Sequence, residues 1–408
     1  MTDPTTDPTD GVSGSRRRIY LDWNATAPLR PEARDAMLAA LDLVGNPSSV
    51  HAEGRAVRAV VDTARAAVAA LVGAQAHGLV FTSGGTEANA LALTPGLTAG
   101  TGAAPRDRLL VSEIEHASVW AGGRFPTNAV ATVPVTAAGA VDLAALAARL
   151  AAITAETPAA RPLVSIMHAN NETGVVQPIR AAADIVHAAG GLLHVDAVQS
   201  AGRIVCDIGA LGADLMSLSA HKLGGPKGAG ALVLGASALH ITDPLLRGGG
   251  QERGLRAGTE NIAAIAGFGA AAAAAARDLA ADGPLMQSRR DRLEAEVMRT
   301  TPGTVVLGGA APRLPNTTLL AHPGLRAETA LIALDLAGLA VSSGAACSSG
   351  KVAASRVLAA MGIDPALAAG AIRVSLGPTT TERDTDAFVT AWNGLVRRLS
   401  RGGCGIAA

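Results

Sequence analysis

The chain has 408 residues, 49% of them apolar and 17% charged, with 34 basic and 34 acidic side chains. That composition excludes a disordered chain, and a formal charge of zero gives no electrostatic argument for nucleic acid or an anionic membrane surface. The length is ample for a large core and suggests more than one domain.

In chain order, residues 1–17 are polar and rich in Pro, Asp and Gly, and read as a disordered tail. Arginines at 16–18 are followed by no long apolar stretch, so no secretory signal is predicted and the expected compartment is the cytoplasm. Strands are predicted over 78–82, 108–112, 162–168, 191–196, 214–219 and 230–234. Helices are predicted over 31–43, 49–71, 86–93, 143–155 and 179–189. This alternation argues for an α/β domain with a mostly parallel sheet. The longest apolar run, 262–276, is mostly alanine and is broken by Gly267 and Gly269. It reads as a buried helix reaching 281, too short and too weakly apolar for a membrane span. Beyond it the texture changes to strands at 304–307, 316–320 and 371–375, with helices from Ala327 and Ala353, which suggests a smaller α+β domain. The expected division is a tail at 1–17, a small domain from 18–31 with 280–408, and a large domain over 32–279.

Cys206, Cys347 and Cys404 are far apart and form no C-x-x-C pair, so neither a disulfide framework nor a zinc site is predicted. Cys206 reads as a packed residue and Cys404 as incidental. Cys347, within LAVSSGAACSSGK at 339–351, has small neighbours and reads as exposed and mobile, with any activating base supplied through space.

The stretch ADLMSLSAHKLGGPKG, from 213, runs from an apolar strand through Ser219 and His221 to Lys222 and a glycine-rich turn. A lysine there can be held out of bulk water, and an amine of lowered pKa attacks carbonyls, including the aldehyde of pyridoxal phosphate. Ser219 and His221 can donate to a phosphate beside it; the plainer reading is a surface lysine in a turn. FTSGGTEAN, at 81–89, turns from a strand into a helix through Gly84, Gly85 and Thr86, an arrangement that suits an anion. It also suits an ordinary βα turn capped by Thr86. His116, in SEIEHASV, follows a strand and can stack on a ring or move protons, or else pair with Glu113 or Glu115. Asn171, in HANNETGVVQP, offers an amide to a phenolic oxygen or carboxylate, or serves a turn. Asp196, in HVDAVQS, can pair with a pyridinium nitrogen, with Gln199 reaching another ring substituent, or can cap a helix. GGGQERGLRAGTEN, at 248–261, is either a solvated loop or one that lies across a neighbouring subunit's site, with Thr259 before a helix. Arg373, inside the apolar AIRVSLG, should be paired, and a substrate carboxylate would suit its fork. Most of these motifs end predicted strands, so they can converge on one edge of one sheet.

Taken with YLDWNATAPL at 20–29 and VSSGAACSSG around Cys347, this ordered set resembles the cysteine desulfurases, fold-type I pyridoxal-phosphate enzymes of the class V aminotransferase group. The likeness runs from about Ile19 to Gly377. It implies that Lys222 binds the cofactor's aldehyde and later moves protons at the substrate α-carbon. His116 would stack on the ring and act as acid and base, Asp196 would pair with the ring nitrogen, and Gln199 would bond the phenolic oxygen. Gly85, Thr86, Ser219 and His221 would hold the phosphate, with Thr259 supplied by the partner in a homodimer. Asn171 and Arg373 would hold the carboxylate of L-cysteine, and Cys347 would attack its sulfur. Alanine would leave, and a persulfide would pass to a sulfur-acceptor protein in iron–sulfur assembly or a related route. Trp23 stands where tyrosine is expected, and the C-terminal RLSRGGCGIAA lacks the ending expected of members that dock an iron–sulfur scaffold. Rival readings are a selenocysteine lyase or aminotransferase on the same fold, and a catalytically weak sulfur-acceptor or scaffold-binding protein that keeps it.

Overall fold

The computed structural model describes residues 18–100, 104–236, 238–343 and 355–402. The tail expected at 1–17, Cys347, Cys404 and the helix start expected at Ala353 lie outside these residues.

Seven strands form one sheet: β1 (Leu79–Thr82), β2 (Arg108–Ser112), β3 (Val130–Val133), β4 (Pro162–Met167), β5 (Leu192–Asp196), β6 (Leu215–Ser219) and β7 (Gly230–Leu234), in the order β1-β7-β6-β5-β4-β2-β3. Only β7 runs against its neighbours, antiparallel to both β1 and β6. The strands are near-continuous apolar runs because both faces are covered by core. Six of them match expectation closely. The seventh, β3, was not anticipated: only Val133 of its four residues is fully buried, so its sequence lacks the apolar run that marks the central strands. Polar or glycine positions flank the strands, and the carboxyl ends of β2, β4, β5 and β6 lie along one edge.

Eight helices of eight or more residues are described: α1 (Pro31–Leu41), α2 (Ala52–Leu71), α3 (Gly85–Ala92), α4 (Leu143–Glu156), α5 (Ile179–Ala188), α6 (Ile262–Thr300), α7 (Ala327–Leu336) and α8 (Glu382–Gly402). Helix α6 corrects the expected end at 281: it runs 39 residues, through Gly283 and Pro284. A proline usually ends a helix because it lacks an N–H and crowds the preceding turn. Here packing at both ends prevails. Phe268, Ala271, Ala272 and Ala275 sit in the core beneath the large sheet, and Leu293 and Val297 sit in a second core. Gly269 is needed for close approach, since a Cβ there would lie 2.5 Å from Ala64 Cα. By length and composition α6 would pass for a membrane span, but 56% of its apolar window is buried within the protein, as a core helix requires.

The second core surrounds a smaller antiparallel sheet of β8 (Val305–Val306), β9 (Thr317–Ala321), β10 (Ser342–Ser343) and β11 (Ile372–Ser375), ordered β8-β9-β11-β10. The start of the described chain joins this region, with Ile19–Tyr20 parallel to Leu339–Ala340. Helix α8 completes it, burying Phe388, Trp392, Leu395 and Val396 along one face. The protein is thus mixed α/β, with a large mostly parallel sheet and a smaller α+β part.

Candidate active site

A cavity of about 240 Å³ opens at the carboxyl edge of the large sheet. Its walls include Gly85, Thr86, His116, Asn171, Asp196, Gln199, Ser219, His221 and Lys222, contributed by segments that follow β1, β2, β4, β5 and β6. The convergence expected from the motif order is therefore present.

At one end lies the start of α3. Gly84 is its N-cap, and no side chain caps the first turn, so Thr86 does not serve that purpose. The opening N–H groups of a helix left without a capping side chain form a place for an anion. A Cβ on Gly85 would come within 2.8 Å of Val198 Cγ2 and 3.5 Å of Ser219 Cβ, filling the space between the helix start and Ser219. His221 closes this end, its Nδ1 3.2 Å from Thr26 Oγ1. Burial holds His221 down to about 4, so its ring is neutral at pH 7.

Asp196 stands at the end of β5, buried at 6% exposure. It caps no helix: Oδ1 accepts from Val198 N at 3.0 Å, closing a turn, and Oδ2 accepts from Asn89 Nδ2 at 2.8 Å. Asn89 also donates to Ser118 Oγ at 2.9 Å, and its own Oδ1 is buried without a partner among the described residues. Across the cavity His116 caps the short helix Ala117–Trp120, its Nδ1 accepting from Ser118 N at 3.2 Å. That bond leaves the proton of the neutral ring on Nε2. The ring lies in the concave wall, and loss of solvent there lowers its pKa below the ordinary value, against the pull of Asp196. Its partner is Ser118 rather than Glu113 or Glu115.

Lys222 ends a single 3-10 turn, Ala220–Lys222, directly after β6. Its Nζ donates to Asn24 O at 2.6 Å and Ala25 O at 2.9 Å. Burial, then the charges of Arg203 and Arg373, lower its pKa from 10.5 to about 7. An amine that is substantially neutral near pH 7 is a nucleophile.

Gln199 is held from both ends, its Nε2 donating to Asn24 O at 3.0 Å and its Oε1 accepting from Arg203 at 2.6 Å. Asn171 lines the cavity, and its carbonyl accepts from Arg373 at 2.9 Å. Arg373 is paired, as an arginine in an apolar strand must be, but with an internal carboxylate, Asp22 Oδ1 at 2.7 Å. Its Nε is buried without a partner among the described residues. Thr259 is not brought to this cavity. It lines another, with Thr82, Ser83 and Gly228. The turn before it, Gln251–Gly254, carries Glu252 and Arg253 at φ 46° and 58°. Glu252 is clamped there by Arg65 at 2.6 and 2.8 Å. Cys206 is buried, 3.4 Å from His168 Nδ1, and burial pushes its thiol up to about 12, which removes it from nucleophilic chemistry.

Sequence reading gave no role to Asn24, Asn89 or Arg203. Asn24 is buried and joins both parts of the fold: it donates to Thr317 Oγ1 at 3.0 Å and accepts from Arg203 at 2.8 Å and Asn316 at 3.2 Å. Its signal was the YLDWNATAPL motif itself. Asn89 closes FTSGGTEAN. Arg203 belongs to no motif, but it lies in an apolar stretch, where the pairing argument applied to Arg373 would have singled it out.

The donor set offers an anion cradle, a buried carboxylate and a neutral amine in one cavity, which fits a phosphorylated pyridine aldehyde end to end. The aminotransferase class-V family matches residues 19–388. The chain is 43% identical to a cysteine desulfurase of Cereibacter sphaeroides, over 94% of this chain and 96% of that one. It is 36% identical to an IscS-like cysteine desulfurase of Mycobacterium tuberculosis, over 94% and 97% of the two chains. A solved NifS-like protein from Rickettsia africae superposes with a TM-score of 0.82 at 34% identity, covering 93% of this chain and 100% of the other.

Proposed function

The chain belongs to the cysteine desulfurases of the aminotransferase class-V family, and from there we propose that it converts L-cysteine to L-alanine with pyridoxal 5'-phosphate. In this reading the Cys347 thiolate attacks the substrate sulfur, a sulfur–sulfur bond forms, the carbon–sulfur bond breaks, and its electron pair leaves with the alanine carbon, which is protonated. The persulfide on Cys347 then passes to an acceptor protein, for iron–sulfur cluster assembly or a related transfer. The observation that carries the reading is Lys222: an amine with pKa lowered to about 7 in a cavity whose other end is a phosphate cradle.

When bound, the cofactor supplies an electron-accepting ring beside the substrate α-carbon. The chain does the rest. The first N–H groups of α3 at Gly85 and Thr86, with Ser219 and His221, hold the phosphate. Asp196 keeps the ring nitrogen protonated, its charge steadied by Asn89. Gln199 bonds the phenolic oxygen, and His116 stacks on the ring with Nε2 as its proton-bearing atom. Lys222 moves the α-proton. Arg373 Nε and Asn171 take the substrate carboxylate, which is supported by that nitrogen's lack of a partner. Thr259 reaches the phosphate of a partner subunit in a homodimer, and its absence from its own chain's cavity agrees with that. The two cores correspond to a large cofactor-binding domain and a small domain, and the enzyme works in the cytoplasm.

The test is sulfide and alanine release from L-cysteine with reductant, in wild type and Cys347→Ala. Equal yields from wild type and a loss of at least about 100-fold in the variant are expected, since the nucleophile is gone. Undiminished turnover in the variant would remove Cys347 from the chemistry.

A further inference from the structure

Arg203 is a buried cation, 6% exposed, with no ion pair to a carboxylate among the described residues. Its guanidinium bonds only neutral oxygens: Asn24 Oδ1 at 2.8 Å, Gln199 O at 3.2 Å, Gln199 Oε1 at 2.6 Å, Trp23 O at 3.0 Å and Lys222 O at 3.3 Å. A buried charge normally finds an opposite one, because desolvation is otherwise uncompensated. The other buried arginine of the site, Arg373, has Asp22. Arg203 has five carbonyl-type contacts in place of a counter-ion, and one of them is the main chain of Lys222.

Two consequences follow from this geometry. Arginine carries donors only, so the Gln199 atom at 2.6 Å must be the amide oxygen. The orientation of that amide is thereby fixed, and its Nε2 is the end left to donate. Burial lowers the pKa of the Arg203 guanidinium to about 9, so at pH 7 it is a positive charge beside Lys222 and disfavours a second one on that amine. The charged and titratable groups around Lys222 are Arg203, Arg373, Asp22, Asp196, His116 and His221; Asp22 offsets Arg373, while Asp196 lies toward the ring end, bonded to Asn89. Arg203 is the cation in this set that no carboxylate offsets.

We propose that Arg203 is a positioning residue for the reaction, an uncompensated guanidinium that orients the Gln199 amide and sets the charge beside Lys222, whose main chain it also bonds. This rests on the desulfurase reading for its purpose, but its test does not depend on turnover. The full-length chain, freed of carbonyl cofactor with hydroxylamine, is labelled competitively with acetic anhydride across about pH 5–11, a span that covers ordinary and lowered lysine values. The Lys222 peptide is quantified by mass spectrometry. The wild-type midpoint is expected near 7. In Arg203→Gln and Arg203→Met it should rise by about one unit, whereas Arg203→Lys, which keeps the charge, should hold it within about 0.3 units. Folding of each variant is checked by circular dichroism, and a merely structural role would leave the midpoint of a folded variant unmoved. A wild-type midpoint near the ordinary lysine value of 10.5 overturns the proposal whether or not any variant folds. So does an unshifted midpoint in either folded neutral variant. An inactive protein that shows the shift would keep this inference and sink the desulfurase reading.

Discussion

Glu115 shows how far one side chain can depart from its sequence expectation. In the sequence it was a possible partner for His116. In the fold it is buried, its Oε1 accepting from Ser112 Oγ at 2.6 Å and Met167 N at 2.7 Å, and its Oε2 has no partner among the described residues. Burial pushes its carboxyl up to about 8, and the nearby charge of Asp196 adds to the rise. The folded-state pKa is above the unfolded value of 4.5, so the contribution to stability is complete below that value and is lost as pH rises through about 8. Glu115→Gln keeps the shape of the neutral acid and removes the titration. Denaturant unfolding at about pH 5 and pH 8 should show wild type losing on the order of 2 kcal/mol more than the variant over that window. Equal losses would mean that Glu115 is ionised in the folded protein throughout. Such a shift was not legible beforehand, because it depends on what covers the carboxyl and not on its neighbours in the chain.

At the scale of elements, the βα turn at Gly84, Gly85 and Thr86 was legible because its parts are local: a strand run, two small residues and a helix start. The same holds for the six predicted strands of the large sheet, whose apolar runs are bounded by turn residues. Three of the elements that were not seen show why. Strand β3 is half-buried at the sheet edge, the second half of α6 lies beyond a Gly-Pro break, and α8 was left unassigned. The last did carry a signal, since Phe388, Trp392, Leu395 and Val396 repeat at helical spacing and all face the small core. The start of α3 gives a direct prediction. Gly85→Ala places a methyl group 2.8 Å from Val198 Cγ2 and into the cradle. The variant should stay folded, destabilised by about 1–3 kcal/mol, and bind pyridoxal phosphate about tenfold or more weakly. Unchanged affinity, measured by fluorescence titration, would place the phosphate elsewhere.

For the whole molecule, motif order told which residues would meet, but not what would hold them there. Nine of the residues singled out share one cavity because parallel strands deliver their carboxyl ends to one edge. The network around Asn24 could not be foreseen, since it joins residue 24 to residues 203, 222 and 317 across both cores. Thr259 lies at a different cavity of the same chain. In the proposed function this cavity is the cofactor site and Lys222 is its anchor. That placement is tested most directly by reducing the protein, loaded with pyridoxal phosphate, with borohydride and mapping the labelled peptide. The label is expected on Lys222 and should be lost in Lys222→Ala. A label fixed to Lys227 or another lysine, or retained undiminished in the variant, would contradict it.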